Sequence, residues 1–313
     1  MKRMLKFVLL PLLAIVAAGA VYVATHKPAQ RPVTDLVIAR TPERLARGEY
    51  LARNVSACLH CHTDREEGAR NHPAKGPEGA GGHCFTPEMG FPGHVCAANI
   101  TSSKTAGIGA WSDDEILRAI REGVSKDGRA LFPIMPYSAY RSLPDEDAYA
   151  IVAYLRTLAP EESKTPPAKI DFPVSFFIER VPRPVTEPVA PVAPSDPLAY
   201  GKHMATIAGC STCHGEDFSG GEEFPLRQGV VRASNITPGT DLVPEEADAF
   251  VRIFHAYANG ELPPGVSASD HTVMPWNVYA GMREDDLRAI HAYLRSLPAV
   301  KKQVQTYGAA EGK

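Results

Sequence analysis

Two pentads of the chain have the residue types and the spacing that covalent haem attachment requires. They are Cys58-Leu59-His60-Cys61-His62 and Cys210-Ser211-Thr212-Cys213-His214. In a Cys-x-x-Cys-His motif the two cysteines form thioethers to the haem vinyl groups, and the adjacent histidine ligates the iron. A zinc half-site or a thioredoxin-like Cys-x-x-Cys is the alternative, but neither needs histidine at the fifth position twice. The pentads therefore predict two covalently attached haems c.

A recurring methionine is the predicted second axial ligand of each iron. Met135 and Met274 each begin a Met-Pro-aromatic sequence, and 139 positions separate them. Methionine more often fills gaps in a core, but the shared register and the proline that stiffens each loop favour ligation. We therefore expect His62 and Met135 to ligate one iron and His214 and Met274 to ligate the other.

Other histidines and methionines compete for the distal position, but none of them recurs at the same register. They are Met89, His72, His83 and His94 in the first half, and Met282, His255 and His271 in the second. An iron with both axial positions filled by His and Met has no open site for a substrate. The ligand sets therefore predict electron transfer and not catalysis at the iron.

The pentads belong to one unit that the chain contains twice. Asn99-Ile100-Thr101 recurs as Asn235-Ile236-Thr237, and the segment Ala-Tyr-Leu-Arg occurs at 153–156 and at 292–295. The two copies of Ala-Tyr-Leu-Arg are 139 positions apart, as the two methionines are, so neither half has a net insertion between the methionine and the final helix. The repeat indicates one kind of domain used twice.

Helical signals dominate each copy. An N-cap followed by proline precedes each pentad, at Thr41-Pro42 and at Asp196-Pro197, and Ser112 begins a capping box with Glu115. No sustained period of two predicts a strand. We therefore expect a mainly α fold of two tandem cytochrome c-type domains after an N-terminal transmembrane helix. The expected boundaries are 1–27 for the N-terminal segment, 38–160 and 196–300 for the two domains, 161–195 for a proline-rich linker and 301–313 for a tail.

Polar and aromatic residues near the motifs are candidates for lining the haem crevices. They are Asn99, Asn235, Trp111, Tyr137, Trp276 and Tyr279. Buried propionates need N–H or O–H donors, which these side chains can supply. Core packing and turn capping are the equal alternative.

Two cysteines remain outside the pentads, Cys84 and Cys96. The first half has 41 positions between Cys58 and Asn99, whereas the second half has 25 between Cys210 and Asn235. The simplest interpretation of the 16 additional residues is an inserted loop that a Cys84–Cys96 disulfide closes. A zinc site that also uses His83 and His94, a cysteine ligand to the first haem, and free thiols are the alternatives.

The N-terminus combines basic residues with an apolar run. Phe7 to Ala24 carries no charge and follows Lys2, Arg3 and Lys6. Eighteen residues make about 27 Å of helix, close to the roughly 30 Å hydrocarbon core of a bilayer. We expect an uncleaved anchor in the bacterial inner membrane with the haem domains in the periplasm. A cleaved signal peptide is the alternative, because Ala18-Gly19-Ala20 has the small-x-small form of a cleavage site.

The net charge bears on the kind of partner. The formal net charge of −3 shows no basic excess, so nothing suggests nucleic acid.

The linker contains an apolar segment. Prolines make the linker extended and semi-rigid, but its middle, residues 170–178, contains Phe172, Phe176 and Phe177. This apolar stretch either packs along a haem domain or docks a partner subunit.

Further motifs of the first half carry a family resemblance. The pentad and Asn99-Ile100-Thr101 are followed by Thr-Ala-Gly-Ile-Gly-Ala-Trp-Ser at 105–112 and by the segment 127–137, which ends in Met-Pro-Tyr. This order resembles the multihaem cytochrome c subunits of bacterial membrane-bound alcohol, aldehyde and gluconate dehydrogenases. The resemblance covers most of residues 41–300 and implies that electrons pass from a periplasmic dehydrogenase subunit to quinone, another cytochrome or a terminal oxidase. Those subunits commonly carry three haem domains, whereas this chain has two pentads.

The sequence thus predicts an electron-transfer subunit without a catalytic site of its own. No Gly-rich nucleotide loop and no nucleophile motif occurs in it. One alternative is a dihaem enzyme of the peroxidase or thiosulfate dehydrogenase type, which needs an exchangeable iron site. Another is a cytochrome subunit of a terminal oxidase or other respiratory complex.

Overall fold

The computed structural model describes residues 2–66, 73–82, 84–226, 229–258 and 273–309. His72, His83 and His271, which compete for the distal position, lie outside the described residues. The helices are α1 (Lys2–Thr25), α2 (Pro42–Tyr50), α3 (Cys58–Cys61), α4 (Asp113–Glu122), α5 (Tyr137–Tyr140), α6 (Asp145–Leu155), α7 (Val174–Ile178), α8 (Pro197–Ile207), α9 (Cys210–His214), α10 (Ala247–Ala258), α11 (Trp276–Tyr279) and α12 (Glu284–Arg295). The strands are β1 (Cys84–Phe85), β2 (Gly93–Cys96), β3 (Lys169–Ile170), β4 (Glu223–Leu226), β5 (Gly229–Arg232) and β6 (Tyr307–Ala309).

The helices that lead to the pentads begin where the sequence predicts. The Thr41 hydroxyl accepts a hydrogen bond from the N–H of Arg44, and the Asp196 carboxylate accepts one from the N–H of Ala199. Proline occupies the first turn after each cap, where its missing N–H costs no helical hydrogen bond. α2 continues as a π-helical turn, Leu51–Val55, before the chain reaches the first pentad.

Each pentad forms a short helix of its own, α3 and α9. The residue before it has a left-handed backbone, with φ of +52° at Ala57 and +73° at Gly209. This conformation is favourable for glycine and costs about 1 kcal/mol for alanine. The chain therefore turns sharply between the lead-in helix and the cysteines in both halves.

The first and last helices of each half cross at close range, α2 against α6 and α8 against α12. The crossing points are Gly48 and Gly201, where an added Cβ would lie 1.8 Å from the Ala150 carbonyl oxygen and 1.9 Å from the Ala289 carbonyl oxygen. Only glycine lets the two backbones approach this closely. The matched crossings confirm that the two halves have the same mainly helical architecture.

Each half also contains a three-stranded antiparallel sheet, which the sequence analysis did not predict. The strand orders are β1-β2-β3 and β4-β5-β6. In both sheets a hairpin after the pentad pairs with a strand that follows the last helix. These strands have two to four residues, too short for a period of two to show in the sequence.

The sheets correct the position of the inserted residues in the first half. The N–H of Gly81 donates to the His62 carbonyl and the N–H of Gly220 to the His214 carbonyl, each at 2.9 Å, so the two glycines are equivalent. Gly81 follows His62 by 19 positions and Gly220 follows His214 by 6, a difference of 13. Most of the additional residues therefore precede the hairpin, and the hairpin with Cys84 and Cys96 has a counterpart without cysteines in the second half.

The linker packs along the first domain. This is the first of the two interpretations of its apolar stretch, which were packing along a haem domain and docking of a partner subunit. β3 pairs with β2 at Gly93↔Ile170 and His94↔Lys169, and the N–H of Asp145 donates to the Val189 carbonyl at 3.0 Å. Ile178 is buried, whereas Phe172 and Phe177 remain exposed. The segments assigned to linker and tail thus contribute strands to the two domains.

The N-terminal segment forms α1, which contains Pro11. Within the described part of the chain, no helix has both the length and the apolar character that crossing a bilayer requires. The membrane anchor therefore stays a sequence-based prediction.

Candidate haem sites

The proximal histidines have the same hydrogen bond in both halves. His62 Nδ1 lies 2.6 Å from the Ala98 carbonyl oxygen, and His214 Nδ1 lies 2.7 Å from the Ser234 carbonyl oxygen. A carbonyl can only accept, so Nδ1 carries the proton and the Nε2 lone pair is left to ligate a metal. Burial lowers the pKa of both imidazoles, which favours the neutral, ligating form.

The Asn-x-Thr motif holds the two accepting carbonyls in place. Asn99 directly follows Ala98, and its Nδ2 donates to the carbonyls of Glu161 at 2.7 Å and Ser163 at 3.0 Å. Its Oδ1 accepts from both the N–H and the hydroxyl of Thr101. The side-chain amide is thereby used within the protein. The expectation that Asn99 donates to a haem propionate is therefore wrong, and its alternative role as a turn cap is correct.

Asn235 makes the equivalent bonds in the second half. Its Nδ2 donates to the carbonyls of Val300 at 2.8 Å and Lys302 at 3.1 Å, and its Oδ1 accepts from Thr237. The chain that leaves the last helix is thus tied, in each domain, to the turn that orients the axial histidine. Asn235 thus has the turn-capping role as well, and its side-chain amide hydrogens are used within the protein.

The two methionine loops also share their geometry. Met135 and Met274 are partly buried against the core. The N–H of Tyr137 and of Trp276, two residues on, each donates to the methionine's carbonyl at 2.8 Å. Proline directly precedes α5 and α11, so the loop ends at a fixed point in each domain. The two loops therefore have the same local fold, and ligation by the thioethers remains a prediction.

A tyrosine that the sequence analysis did not single out as a positioning residue connects each methionine loop to its pentad. The Tyr140 hydroxyl donates to the Ser56 carbonyl at 2.6 Å, and the Tyr279 hydroxyl donates to the Ala208 carbonyl at 2.5 Å. Each accepting residue lies two positions before the first cysteine of a pentad. The signal was present in the sequence, because tyrosine is the fifth residue after methionine in both copies.

The residues present fit covalent haem. None of the four pentad cysteines is in a disulfide, so all four sulfurs are available for thioether bonds. Trp276 Nε1 is buried and has no hydrogen-bond partner among the described residues. This indole N–H is available to a carboxylate such as a haem propionate, which agrees with the expected crevice role of Trp276.

The last two cysteines form the predicted disulfide, Cys84–Cys96, across β1 and β2. Cys84 pairs directly with Cys96 in the hairpin register. Because both sulfurs are used in this bond, the zinc, haem-ligand and free-thiol alternatives for Cys84 and Cys96 do not hold.

Comparison with known proteins agrees with this geometry. The family model described as "Cytochrome c" matches residues 45–159 and again residues 198–298. The chain belongs to the cytochrome c family. Membership implies covalently bound haem c, and the two matched regions coincide with the two repeated domains. The predicted fold of two tandem cytochrome c-type domains is thereby confirmed.

Relatives of this cytochrome include subunits of dehydrogenases. It is 29% identical over 293 residues to the fructose dehydrogenase cytochrome subunit of Gluconobacter japonicus, covering 84% of this chain and 54% of the relative. It is 30% identical over 278 residues to the gluconate 2-dehydrogenase cytochrome c subunit of Pantoea cypripedii, covering 81% of this chain and 59% of the relative. A protein named "Diheme cytochrome c-type" from Cereibacter sphaeroides is 25% identical over 245 residues, covering 71% of this chain and 77% of the relative.

These comparisons confirm the resemblance to cytochrome c subunits of dehydrogenases. The cytochrome spans little more than half the length of the first two relatives, 54% and 59%.

Proposed function

We propose that this cytochrome carries two haems c and relays electrons from a dehydrogenase subunit to a respiratory acceptor such as quinone, another cytochrome or a terminal oxidase. The observation that carries the proposal is the complete duplication of the site. Each domain has a pentad, an axial histidine fixed by a carbonyl, and a methionine loop tied to the pentad by a tyrosine. A chain with two such sets is suited to passing electrons between two centres.

The residues of each set have separate roles. The cysteines would attach the haem covalently, and His62 with Met135 and His214 with Met274 would ligate the two irons. Bound haem supplies one-electron exchange, and methionine ligation raises its reduction potential. The hydrogen bonds of the histidine rings and of the two tyrosines would hold these ligands in place while a bound haem exchanges electrons.

The dehydrogenase partner is proposed from the relatives, two of which are named as cytochrome subunits of fructose and gluconate dehydrogenases. We also propose that the haem domains lie in the periplasm of a bacterial cell, with residues 1–27 as membrane anchor or cleaved signal. The Cys84–Cys96 disulfide supports an oxidising compartment.

Affinity capture of the full haem-loaded chain from native membranes, in mild detergent, tests the proposal. We expect a dehydrogenase subunit in the captured complex, and reduction of both haems when that subunit's substrate is added. The chain with Cys210→Ser and Cys213→Ser is the matched control, since it should keep one haem and lose the relay.

Digestion by protease tests the compartment. Protease added outside spheroplasts should digest the haem domains. Capture without any oxidoreductase, peroxide turnover by the isolated cytochrome, or protease protection in spheroplasts would each contradict a part of the proposal.

A further inference from the structure

The two domains touch directly beside the first pentad. Asn54 lies in the π-helical turn that precedes this pentad, and its Nδ2 donates to the Val278 carbonyl in α11 at 3.2 Å. Gly281 lies against the same side chain, because an added Cβ would be 2.0 Å from Asn54 Nδ2 and 2.7 Å from its Cγ. A larger residue at position 281 would therefore have to push the two segments apart.

A buried carboxylate forms a second contact between the domains. Asp286, in α12 of the second domain, is 4% exposed. It accepts a hydrogen bond from the Tyr50 hydroxyl of the first domain at 2.5 Å and one from the Tyr200 hydroxyl of its own domain at 2.7 Å. The Arg283 guanidinium lies 4.4 Å from the centre of the Tyr50 ring. This contact joins α2 to α12, while the contact at Asn54 joins the turn before the first pentad to α11.

The same interface brings the two attachment segments together. Asn54 lies four positions before Cys58. Its hydrogen-bond partner Val278 directly precedes Tyr279, whose hydroxyl donates to the Ala208 carbonyl two positions before Cys210. The Asn54–Val278 hydrogen bond therefore links the segments that lead into the two pentads.

We infer that the close contact between Asn54 and Gly281 sets the spacing of the two haem attachment segments and thereby the rate at which an electron crosses from one haem to the other. The inference rests on the proposed function, since it presupposes two haems. Electron tunnelling falls steeply with distance, so a small separation of the domains slows the crossing. Asn54 and Gly281 are positioning residues, because neither is a proposed ligand or attachment site.

The substitution Gly281→Leu in the haem-loaded full chain tests the inference. We expect interhaem electron transfer, followed after rapid reduction of one haem by a light pulse, to become several-fold slower. The magnetic interaction between the two ferric haems in electron paramagnetic resonance spectra should weaken in parallel. The absorption spectrum of each haem should stay unchanged. Gly76→Leu is the matched control, because an added Cβ at Gly76 meets nothing within 4 Å.

A second variant covers the case in which Gly281→Leu does not fold. Asn54→Leu removes the hydrogen bond to the Val278 carbonyl from the other side of the same contact and should also slow the crossing. An unchanged rate and unchanged magnetic interaction in the folded variant would overturn the inference. Slowing that appears only together with loss of the methionine–iron absorption band would also overturn it, since it would locate the change at a ligand. Failure of the proposed function is distinguishable, because the unsubstituted chain would then bind fewer than two haems or accept no electrons from a dehydrogenase.

Discussion

A single backbone carbonyl group orients each of the two histidine rings. The carbonyls of Ala98 and Ser234 accept hydrogen bonds from the Nδ1–H groups, and each residue is followed by an asparagine whose side-chain amide is hydrogen-bonded within the protein. An oriented imidazole is a stronger and more selective ligand than a freely rotating one. The recurrence of this arrangement in both halves is the reason to expect two working iron sites and not one site with a degenerate copy.

Substitution of the two methionines tests the distal ligands. Met135→His or Met274→His should each lower the reduction potential of one haem, because imidazole stabilises ferric iron more than a thioether does. Each variant should also lose part of the weak absorption band that reports sulfur–iron ligation. Potentiometric titration with optical detection measures both effects.

Met282→Leu is the control for these variants, because Met282 is buried in the core at 4% exposure and is a rejected competitor for the distal position. It should leave the potentials and the band unchanged. Normal spectra and potentials in both histidine variants would show that the distal assignments are wrong.

Among the elements, the segment between α1 and α2 is bound to α4 by charge. The Arg31 guanidinium contacts Asp114 through two nitrogens, at 2.7 and 2.6 Å, and Glu122 through the third at 2.7 Å. The Asp114 side chain is 2% exposed and also accepts bonds from the N–H and hydroxyl of Thr34. A buried carboxylate with this many donors is costly to separate from them.

Loss of the Asp114 charge should destabilise the first domain. Asp114→Asn should lower the free energy of unfolding by about 3 kcal/mol near neutral pH, because Arg31 is left with one partner in a partly buried site. Glu146→Gln is the matched control; Glu146 pairs with Arg44 at the surface, is 73% exposed, and should change stability by less than about 1 kcal/mol. Chemical unfolding of the full chain measures the difference.

The effect of Asp114 should depend on pH in a defined direction. Burial pushes the pKa of Asp114 upward, but the hydrogen bonds from Arg31 and Thr34 outweigh it and hold the pKa below its ordinary value of 3.8. A carboxyl group with a lowered folded pKa stabilises the protein above its unfolded pKa. The difference in free energy of unfolding between Asp114→Asn and the unsubstituted chain should therefore shrink as the pH falls through the acid range below 3.8. A difference that grows as the pH falls would contradict this account.

At the scale of the whole molecule, the hydrophobic core is continuous across the two domains. Asp286 adds hydrogen bonds from both sides of the boundary, and burial together with these bonds raises the pKa of Tyr50 and of Tyr200. Both hydroxyls therefore stay protonated as donors through the neutral range. We expect the two domains to unfold as one cooperative unit.

Asp286→Ala should separate the two domains in a calorimetric scan. The unsubstituted chain should show one transition, and the variant two, because about 3 kcal/mol of charge-assisted hydrogen bonding is lost at the boundary. Asp285→Ala is the control, since Asp285 is the exposed neighbour in the same helix. Two transitions in the unsubstituted chain would contradict the single cooperative unit.

Much of this architecture could be predicted from the sequence, because strong local signals carry it. The pentads, the methionine register and the caps at Thr41 and Ser112 each depend on residues close together in the chain. The sheets could not be predicted, because their third strands come from segments after the last helix, and pairing between distant segments leaves no local pattern. The sequence offered turn capping as one role for Asn99, but its partners could not be predicted, since Glu161 and Ser163 lie 62 and 64 positions away.

The third strand of each sheet also shows how far the repeated unit extends. β3 and β6 follow the last helix of their halves and pair with hairpins near the pentads. A unit that ended at the last helix would leave a sheet edge unpaired and the Asn-x-Thr turn without the carbonyls that bind it. The repeated unit therefore extends past that helix, into the segment assigned to the linker in one half and to the tail in the other.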